Sequence, residues 1–405
     1  MRIEWGALCL TWLTLAAAPV ATAQVFQGPT TVDNRPAVDA SIETLFDTNV
    51  SRSSATLAAG RGLKQEDWVY SPDVAVDLTR PIGPEAVFLV GDIGYDFHQT
   101  DTVLNREHIN LEGGAKGQFG LCHGTLSGSV DRHQSYLEDI AVAAPFVSNT
   151  EDLTSINLDG GCARAIGLGV ELSAAESWEG NSSAQFQTFD YRQTTVTGSL
   201  VYQRPNFGKL SAFGQYDHAG YPNQVVPGPT PTLGNAYDLY AGGVRYERDI
   251  GARISATVSL AYTSLTTRSA VKFNGFTYSG DLTYRVSGRL SAHISAERAA
   301  RPALLNDAAF LVEQTYVAEA TYSLGTRITL SAGASEQNQH FGGVLLMPTL
   351  AITDSRMTDY YTTARVSFAR RFYIGIDGRY EVRRADVSEL NYDDARVGVT
   401  VGARF

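Results

Sequence analysis

The strongest constraint on the fold is a segment of about ten residues that repeats from residue 36 to residue 405, with apolar and polar side chains alternating along it. In Val87–Phe97, for example, Leu89 and Ile93 lie at odd-numbered positions, whereas Asp92 and Asp96 lie at even-numbered positions, the opposite parity. Successive side chains of a strand point to opposite faces. The repeat therefore predicts strands with one apolar face and one charged face.

The connections between these segments alternate in length. Short turns such as Phe119–Leu121 and Ser287–Arg289 alternate with longer polar connections such as Ser51–Asp67, Gly220–Asn235 and Gln339–Arg356. Short turns at one end and long loops at the other are typical of membrane barrels. The sequence predicts an all-β fold, a transmembrane antiparallel up-and-down β-barrel of about 18 strands, with 16 as the alternative count, and with short periplasmic turns and long extracellular loops.

Two other architectures agree less well with the sequence. After residue 23 no run reaches the roughly 18 consecutive apolar residues of a membrane-spanning helix, which argues against a helical membrane protein. A soluble β-sandwich also uses alternating strands, but it does not require short and long connections in strict alternation. The barrel therefore accounts for more of the pattern.

The N-terminus has the features of a secretory signal peptide. Arg2 precedes an apolar stretch at residues 7–20, and Ala21-Thr22-Ala23 forms a small-residue cleavage site. We therefore expect the mature chain to leave the cytoplasm. The predicted parts are a signal peptide at residues 1–23, a short periplasmic segment at residues 24–35 and a barrel at residues 36–405.

Charge and motifs restrict the functional classes. The net charge of -11 argues against a nucleic-acid partner, whose phosphates would require a basic face. The chain lacks the linear motifs of serine hydrolases, P-loop enzymes and zinc proteases. We therefore expect neither an enzyme nor a cofactor or metal site, although residues on neighbouring strands could still form a catalytic site without a linear motif.

The polar face of each strand should line the interior of the barrel, where any function should lie. An acidic surplus there would attract cations, although such side chains could equally do no more than solvate a wide polar interior. The predicted lumen-lining residues are Asp73, Asp77, Asp92, Asp96, Glu112, Asp131, Asp159, Arg192, Asp281, Arg285, Asp377 and Arg379.

The two cysteines of the mature chain fall on adjacent predicted strands. Cys122 begins one strand and Cys162 ends the next, with parities that place both on one face near the short turns. A disulfide is sterically possible there, and the periplasm permits it. Closing about 40 residues would stabilise the fold by roughly 4 kcal/mol in the loop-entropy model. Two unpaired thiols are the alternative.

The last strand places Val401 and Phe405 on its apolar face and ends on that aromatic residue. This resembles the terminal strand by which outer-membrane barrels are recognised by their assembly machinery. The expected partners are therefore this machinery and, around the barrel, outer-membrane lipid and lipopolysaccharide.

The opening strands carry a resemblance to a known family. Residues 41–50 read Ser-Ile-Glu-Thr-Leu-Phe-Asp-Thr-Asn-Val, and Trp68–Asp77 contains a Ser-Pro-Asp break. These segments resemble the β-barrel porin type of outer-membrane beta-barrel protein, several members of which are associated with exopolysaccharide or capsule production. The resemblance implies an outer-membrane location and a polysaccharide partner, and it carries over no catalytic residue.

These observations predict a channel-like barrel with a polar, somewhat acidic lumen, and the resemblance adds surface-polysaccharide export. A general diffusion porin for small solutes and a non-conducting structural or adhesive barrel are the alternatives. Among the long loops, Pro222–Pro231 is the stiffest candidate for a constriction.

Overall fold

The computed structural model describes residues 37–137, 148–226, 232–268, 271–302, 308–343, 352–368 and 371–405. The predicted signal peptide and the segment at 24–35 lie outside these residues.

Eighteen strands belong to a single sheet. They are β1 (Ala37–Asp47), β2 (Asp67–Ile82), β3 (Glu85–His98), β4 (Arg106–Phe119), β5 (Cys122–Gln134), β6 (Thr150–Ala163), β7 (Gly167–Asn181), β8 (Tyr191–Arg204), β9 (Gly208–Val226), β10 (Thr232–Ile250), β11 (Ile254–Thr267), β12 (Lys272–Arg285), β13 (Leu290–Arg301), β14 (Phe310–Leu324), β15 (Ile328–Gly342), β16 (Asp354–Phe368), β17 (Phe372–Ala385) and β18 (Tyr392–Arg404).

The sheet closes on itself. Each strand pairs antiparallel with the next, and β1 pairs with β18 from Asp39 opposite Arg404 to Asp47 opposite Arg396. Closure gives each of these 18 strands two hydrogen-bonded neighbours, so none of the described strands has an unpaired edge. The predicted closed antiparallel barrel is confirmed, with 18 strands rather than 16.

Turns and loops alternate as the sequence predicts. The β2–β3 and β4–β5 turns are two residues long and contain Gly83 and Gly120, whose φ angles are +67° and +64°. Glycine adopts this left-handed conformation at no steric cost. The opposite end carries the long loops, which contain the short helix α1 (Ala55–Gly60) and 3-10 turns at Thr102–Leu104, Gln187–Phe189 and Ser388–Leu390. No helix in the described part of the chain is long and apolar enough to cross a membrane.

One predicted long loop is largely strand. The sequence assigns Gly220–Asn235 to a loop, whereas β9 continues to Val226 and β10 starts at Thr232. The register between the two strands shifts at Leu233/Asn235. Pro222 lies at this irregularity, where the missing backbone N–H does not interrupt a regular ladder. Pro222 therefore lies within β9, although a proline argues against a regular strand.

The apolar row of each strand is exposed on the outside of the barrel. Leu200, Val258 and Val399 are 65%, 56% and 45% exposed, and similar residues occur on every strand. A continuous apolar surface of this size is unfavourable in water. In lipid it is favourable, and closure satisfies the backbone groups that lipid cannot. The protein is an outer-membrane β-barrel.

This orientation predicts that arginine substitutions at two adjacent residues of β6 differ strongly in their effect on stability. Leu158 faces outward and is 54% exposed, whereas Asn157 lies on the other face. We expect Leu158→Arg to destabilise the folded barrel by about 2–4 kcal/mol, the cost of an arginine near the bilayer midplane. Asn157→Arg should cost far less. Urea unfolding of both variants in lipid vesicles tests this, and equal losses would contradict the assignment of faces.

Candidate functional site: the lumen and its loop-covered mouth

The polar row of each strand faces the interior. Arg52, in the loop after β1, forms ion pairs with Asp47 and Asp394, which lie on this row. The register places most of the predicted lumen residues on the same row, namely Asp73, Asp77, Asp92, Asp96, Glu112, Asp131, Asp159, Asp281, Arg285, Asp377 and Arg379.

Arg192 differs from its predicted place. It shares the outward row with Leu200 and lies opposite Trp178, at the long-loop end of β8. Its side chain pairs with Glu176, and its guanidinium carbon lies 5.9 Å from the centroid of the Trp178 ring. A charged residue can face outward here because the strand ends at the membrane interface. The shared parity with Leu200 was visible in the sequence.

Charge is distributed unevenly around the lumen. The inward rows of β2–β7 form an acidic wall, on which the described Arg and Lys residues are only Arg106 and Lys116. The carboxylates of this wall are Asp67, Asp73, Asp77, Asp92, Asp96, Glu112, Asp131, Glu151, Asp159, Glu171 and Glu179. The inward rows of β16–β18 form an arginine wall that carries Arg365, Arg379, Arg383, Arg396 and Arg404.

The arginine wall is largely neutralised by its own carboxylates. Glu381 lies 2.8 Å from Arg396 and 3.2 Å from Arg379. Arg379 also contacts Asp359 at 2.7 Å, and Arg396 contacts Asp394 at 2.8 Å. Both Glu381 and Asp394 are buried. Their negative charges therefore neutralise the arginines and add little net charge to the lumen.

The first long loop, residues 48–66, is anchored to this wall. Arg52 contacts Asp47 and Asp394, both at 2.7 Å, and donates a hydrogen bond to the carbonyl oxygen of Asn49 at 2.6 Å. Burial alone would lower the pKa of Arg52, but the two carboxylates raise it well above its ordinary value. Arg52 has a φ of +48°, which is uncommon for a residue with a side chain. Such a conformation persists where surrounding contacts impose it.

The first loop takes part in two apolar clusters with residues of the other long loops. One cluster joins Val50 and Leu63 of the first loop to Leu104, Leu137 and Phe186. The second joins Leu57 of α1 to Ala308, Phe341, Ile352 and Leu390. The loops of the first cluster follow β3, β5 and β7, and those of the second follow β13, β15 and β17, on the other side of β1 in the closed sheet. The first loop therefore lies across the mouth of the barrel.

Arg61, just after α1, adds a polar anchor. Its guanidinium donates a hydrogen bond to the carbonyl oxygen of Leu137 at 3.3 Å, and burial lowers its pKa to about 10. The group therefore remains charged at neutral pH.

The sequence did not identify this constriction. It proposed Pro222–Pro231, of which residues 227–231 lie outside the described part of the chain. The available signal was composition, because Leu57 and Leu63 are large apolar residues in an otherwise small or polar loop. Large apolar side chains are normally buried, so their presence in a loop at the mouth of a barrel indicates that the loop packs against other residues.

A second feature that the sequence did not reveal is an inward-facing aromatic cluster near the mouth. Tyr191, Tyr221 and Tyr237 pack together, with ring centroids 5.6 Å and 6.2 Å apart along the series. Leu239 and Leu265 join them, and all five side chains are buried. The mouth is therefore narrowed on this side as well.

The remaining predicted residues lie near the short-turn end. Cys122 pairs directly with Cys162 on the outward face, and their sulfur atoms are 2.07 Å apart, as in a disulfide. Val401 and Phe405 face outward and are 47% and 66% exposed. Phe405 exchanges two backbone hydrogen bonds with Val38, which closes the barrel at this end. Recognition of this strand by the assembly machinery stays a prediction.

Comparison with known proteins gives structural likeness only. No protein-family model matches the chain, and no curated protein matches it. Among solved structures, Pseudomonas aeruginosa OccK5 (OpdH) is 14% identical, with a TM-score of 0.44 over 92% of this chain and 99% of that one. P. aeruginosa OccK2 (OpdF) is 12% identical, with a TM-score of 0.48 over 91% and 97%. Acinetobacter baumannii OccAB3 is 10% identical, with a TM-score of 0.45 over 92% and 100%.

Likeness at this level does not transfer a substrate from those proteins to this chain. The architecture of this chain, a closed barrel with an apolar exterior and a charged interior, defines a porin-type outer-membrane barrel.

The anchoring of the first loop can be tested by removing Arg52. Taking away one partner of a buried ion pair costs about 3–5 kcal/mol, because the other charge is left unpaired. We expect Arg52→Ala to release the loop and raise single-channel conductance in planar bilayers. Arg289→Ala, in an exposed turn at the opposite end, is the matched control. Unchanged conductance in the folded Arg52 variant would contradict the anchoring role.

The cysteine pair gives a separate prediction. Without reduction, alkylation and mass spectrometry should find neither Cys122 nor Cys162 modified, and after reduction both should be. Replacing both by serine should destabilise the barrel by at most about 4 kcal/mol, because the closed loop of about 40 residues is lost. Two alkylated thiols in the unreduced protein would exclude the bond.

Proposed function

We propose that the protein is a channel for the diffusion of small polar solutes, with a preference for cations. The observation that carries this proposal is the unequal distribution of charge in the lumen. On the acidic wall of β2–β7, carboxylates far outnumber Arg and Lys residues, whereas most arginines of the arginine wall are paired with carboxylates of β16–β18 or with Asp39 of β1. The surplus of negative charge should raise the local concentration of cations and disfavour anions.

The covered mouth supports small solutes over polymers. The first long loop and the two apolar clusters occupy the mouth, so an extended sugar chain would have to displace several packed segments. Polysaccharide export rests on the sequence resemblance, and neither the structure nor the comparisons add support to it. Diffusion of small solutes, the alternative raised from the sequence, fits the narrowed mouth better.

A non-conducting structural or adhesive barrel is the second candidate. The tight packing of the long loops favours it, because the same contacts that narrow the mouth could also close it. Conductance separates the two candidates directly.

The charge preference can be measured in planar bilayers under a KCl gradient. We expect a reversal potential of the sign that indicates cation preference. The triple variant Asp77→Asn, Glu112→Gln and Asp159→Asn, which neutralises inward residues of the acidic wall, should shift it towards zero. Asp238→Asn, on the outward row of β10, should leave it unchanged.

Three results would count against the proposal. Anion preference in the unmodified protein would contradict the charge argument. An equal shift in the outward control would show that the lumen charges are not responsible. A folded, inserted barrel that never conducts would favour the structural or adhesive alternative.

A further inference from the structure

The acidic wall contains a compact arrangement of side chains around Gly94. Asp73 of β2, Gly94 of β3 and His108 of β4 lie side by side on the inward face. Because Gly94 has no side chain, the other two meet across it, and His108 Nε2 lies 3.4 Å from Asp73 Oδ2. A Cβ atom at position 94 would collide with the imidazole ring. The glycine thus makes the space that the histidine occupies.

Two carboxylates on β3 flank the glycine. Asp92 and Asp96 are two residues before and after Gly94, so both point inward with it. One possible ligand atom from each of Asp73, Asp92 and His108 lies within 4.8 Å of the other two. Among the described residues, this is the one group of three His, Cys, Asp or Glu side chains that converges so closely.

The fourth side chain, Asp96, orients the histidine. Its Oδ2 lies 3.4 Å from His108 Nδ1, and its Oδ1 accepts a 2.5 Å hydrogen bond from the Ser71 hydroxyl. A proton on Nδ1 would be held by Asp96, which leaves the lone pair of Nε2 directed at Asp73 and Asp92. A carboxylate behind a histidine in this way is the usual support of a metal-binding imidazole.

The Oδ2 atom of Asp73 is incompletely satisfied. It is buried, and its contact with His108 Nε2 at 3.4 Å is longer than a normal hydrogen bond. Buried polar atoms normally have a close partner. A cation bound between Asp73, Asp92 and His108 would provide one.

We propose that these three residues bind a divalent transition-metal ion, with Asp96 as a positioning residue. Two carboxylates match the charge of the ion, and imidazole favours zinc and its neighbours over calcium or magnesium, which prefer oxygen ligands alone. Water from the lumen can complete the coordination. The alternative is an ion pair between protonated His108 and the carboxylates, without a metal ion. In that arrangement the negative charges still outnumber the positive one.

Two other lumen histidines show what distinguishes this site. His293 contacts Asp281 at 2.5 Å through Nε2, and in the described part of the chain no second carboxylate joins them in a group of three. His133 contacts Asp131 through Nδ1 and Glu151 through Nε2, so the two carboxylates lie on opposite edges of its ring. Neither arrangement presents one nitrogen and two carboxylates to a common point.

The test is titration of the folded barrel in detergent with ZnCl2 by calorimetry. We expect one ion per chain. His108→Gln and Asp92→Asn should abolish binding, and Asp96→Asn should weaken it about 10- to 100-fold, as is usual when the residue behind a metal-binding histidine is lost. His293→Gln should bind as the unmodified protein does. Cobalt absorption should report a nitrogen and oxygen environment that is lost in His108→Gln.

Each variant is first checked for folding by its heat-modifiable migration on SDS gels, and Asp96→Asn keeps all three proposed ligands. A folded, unmodified barrel that binds no zinc overturns the proposal. So does a loss of binding in His133→Gln or His293→Gln equal to that in His108→Gln. The result does not depend on whether the barrel conducts, so failure here and failure of the channel proposal are separate outcomes.

Discussion

Pairing of every strand edge is the constraint on which the rest of the structure depends. In lipid, a backbone N–H or C=O without a partner costs several kcal/mol, so a sheet can cross a membrane only when it closes. The pairing of β1 with β18 meets this requirement and is extended by the two hydrogen bonds between Val38 and Phe405. Closure also fixes which face of each strand is inside, because neighbouring residues alternate across the wall.

Closure explains the electrostatics of the interior. Because the outward rows must be apolar where they meet the lipid, most charged strand residues face the lumen, and outward ones such as Arg192 and Glu176 pair with each other near the strand ends. There they separate into an acidic wall and an arginine wall that neutralises itself. The loop after β1 uses this arrangement, because Arg52 inserts its charge between carboxylates of β1 and β18. One set of ion pairs thus stabilises the wall and positions the loop across the mouth.

Parity was the reliable guide from sequence to site. It placed Asp92, Asp96 and Asp377 inside, because each lies in a strand with a clear apolar row. For Arg192 the prediction followed charge instead of parity, and the structure places that residue outside with Trp178. Near the membrane interface, polarity no longer reports the side of the wall, since water is present on both sides.

The cluster around His108 could not be read from the chain. The sequence predicted no metal site, because the residues of the cluster lie on β2, β3 and β4 and form no linear motif. The role of Gly94 is visible only once the register of these three strands is known. The constriction of the mouth was missed for a similar reason, since Leu57 and Leu63 contact loops distant in sequence.

The alternation of apolar and polar residues and the lengths of the connections were sufficient, by themselves, to determine the closed barrel, the face of the sheet that contacts lipid and most of the lumen-facing residues. These properties are local, since each depends on neighbouring side chains pointing to opposite faces. The tertiary structure decided which inward residues meet, which loop covers the mouth and which charges neutralise one another. Those outcomes depend on the register between strands and on loop packing, which join residues that are far apart in the chain.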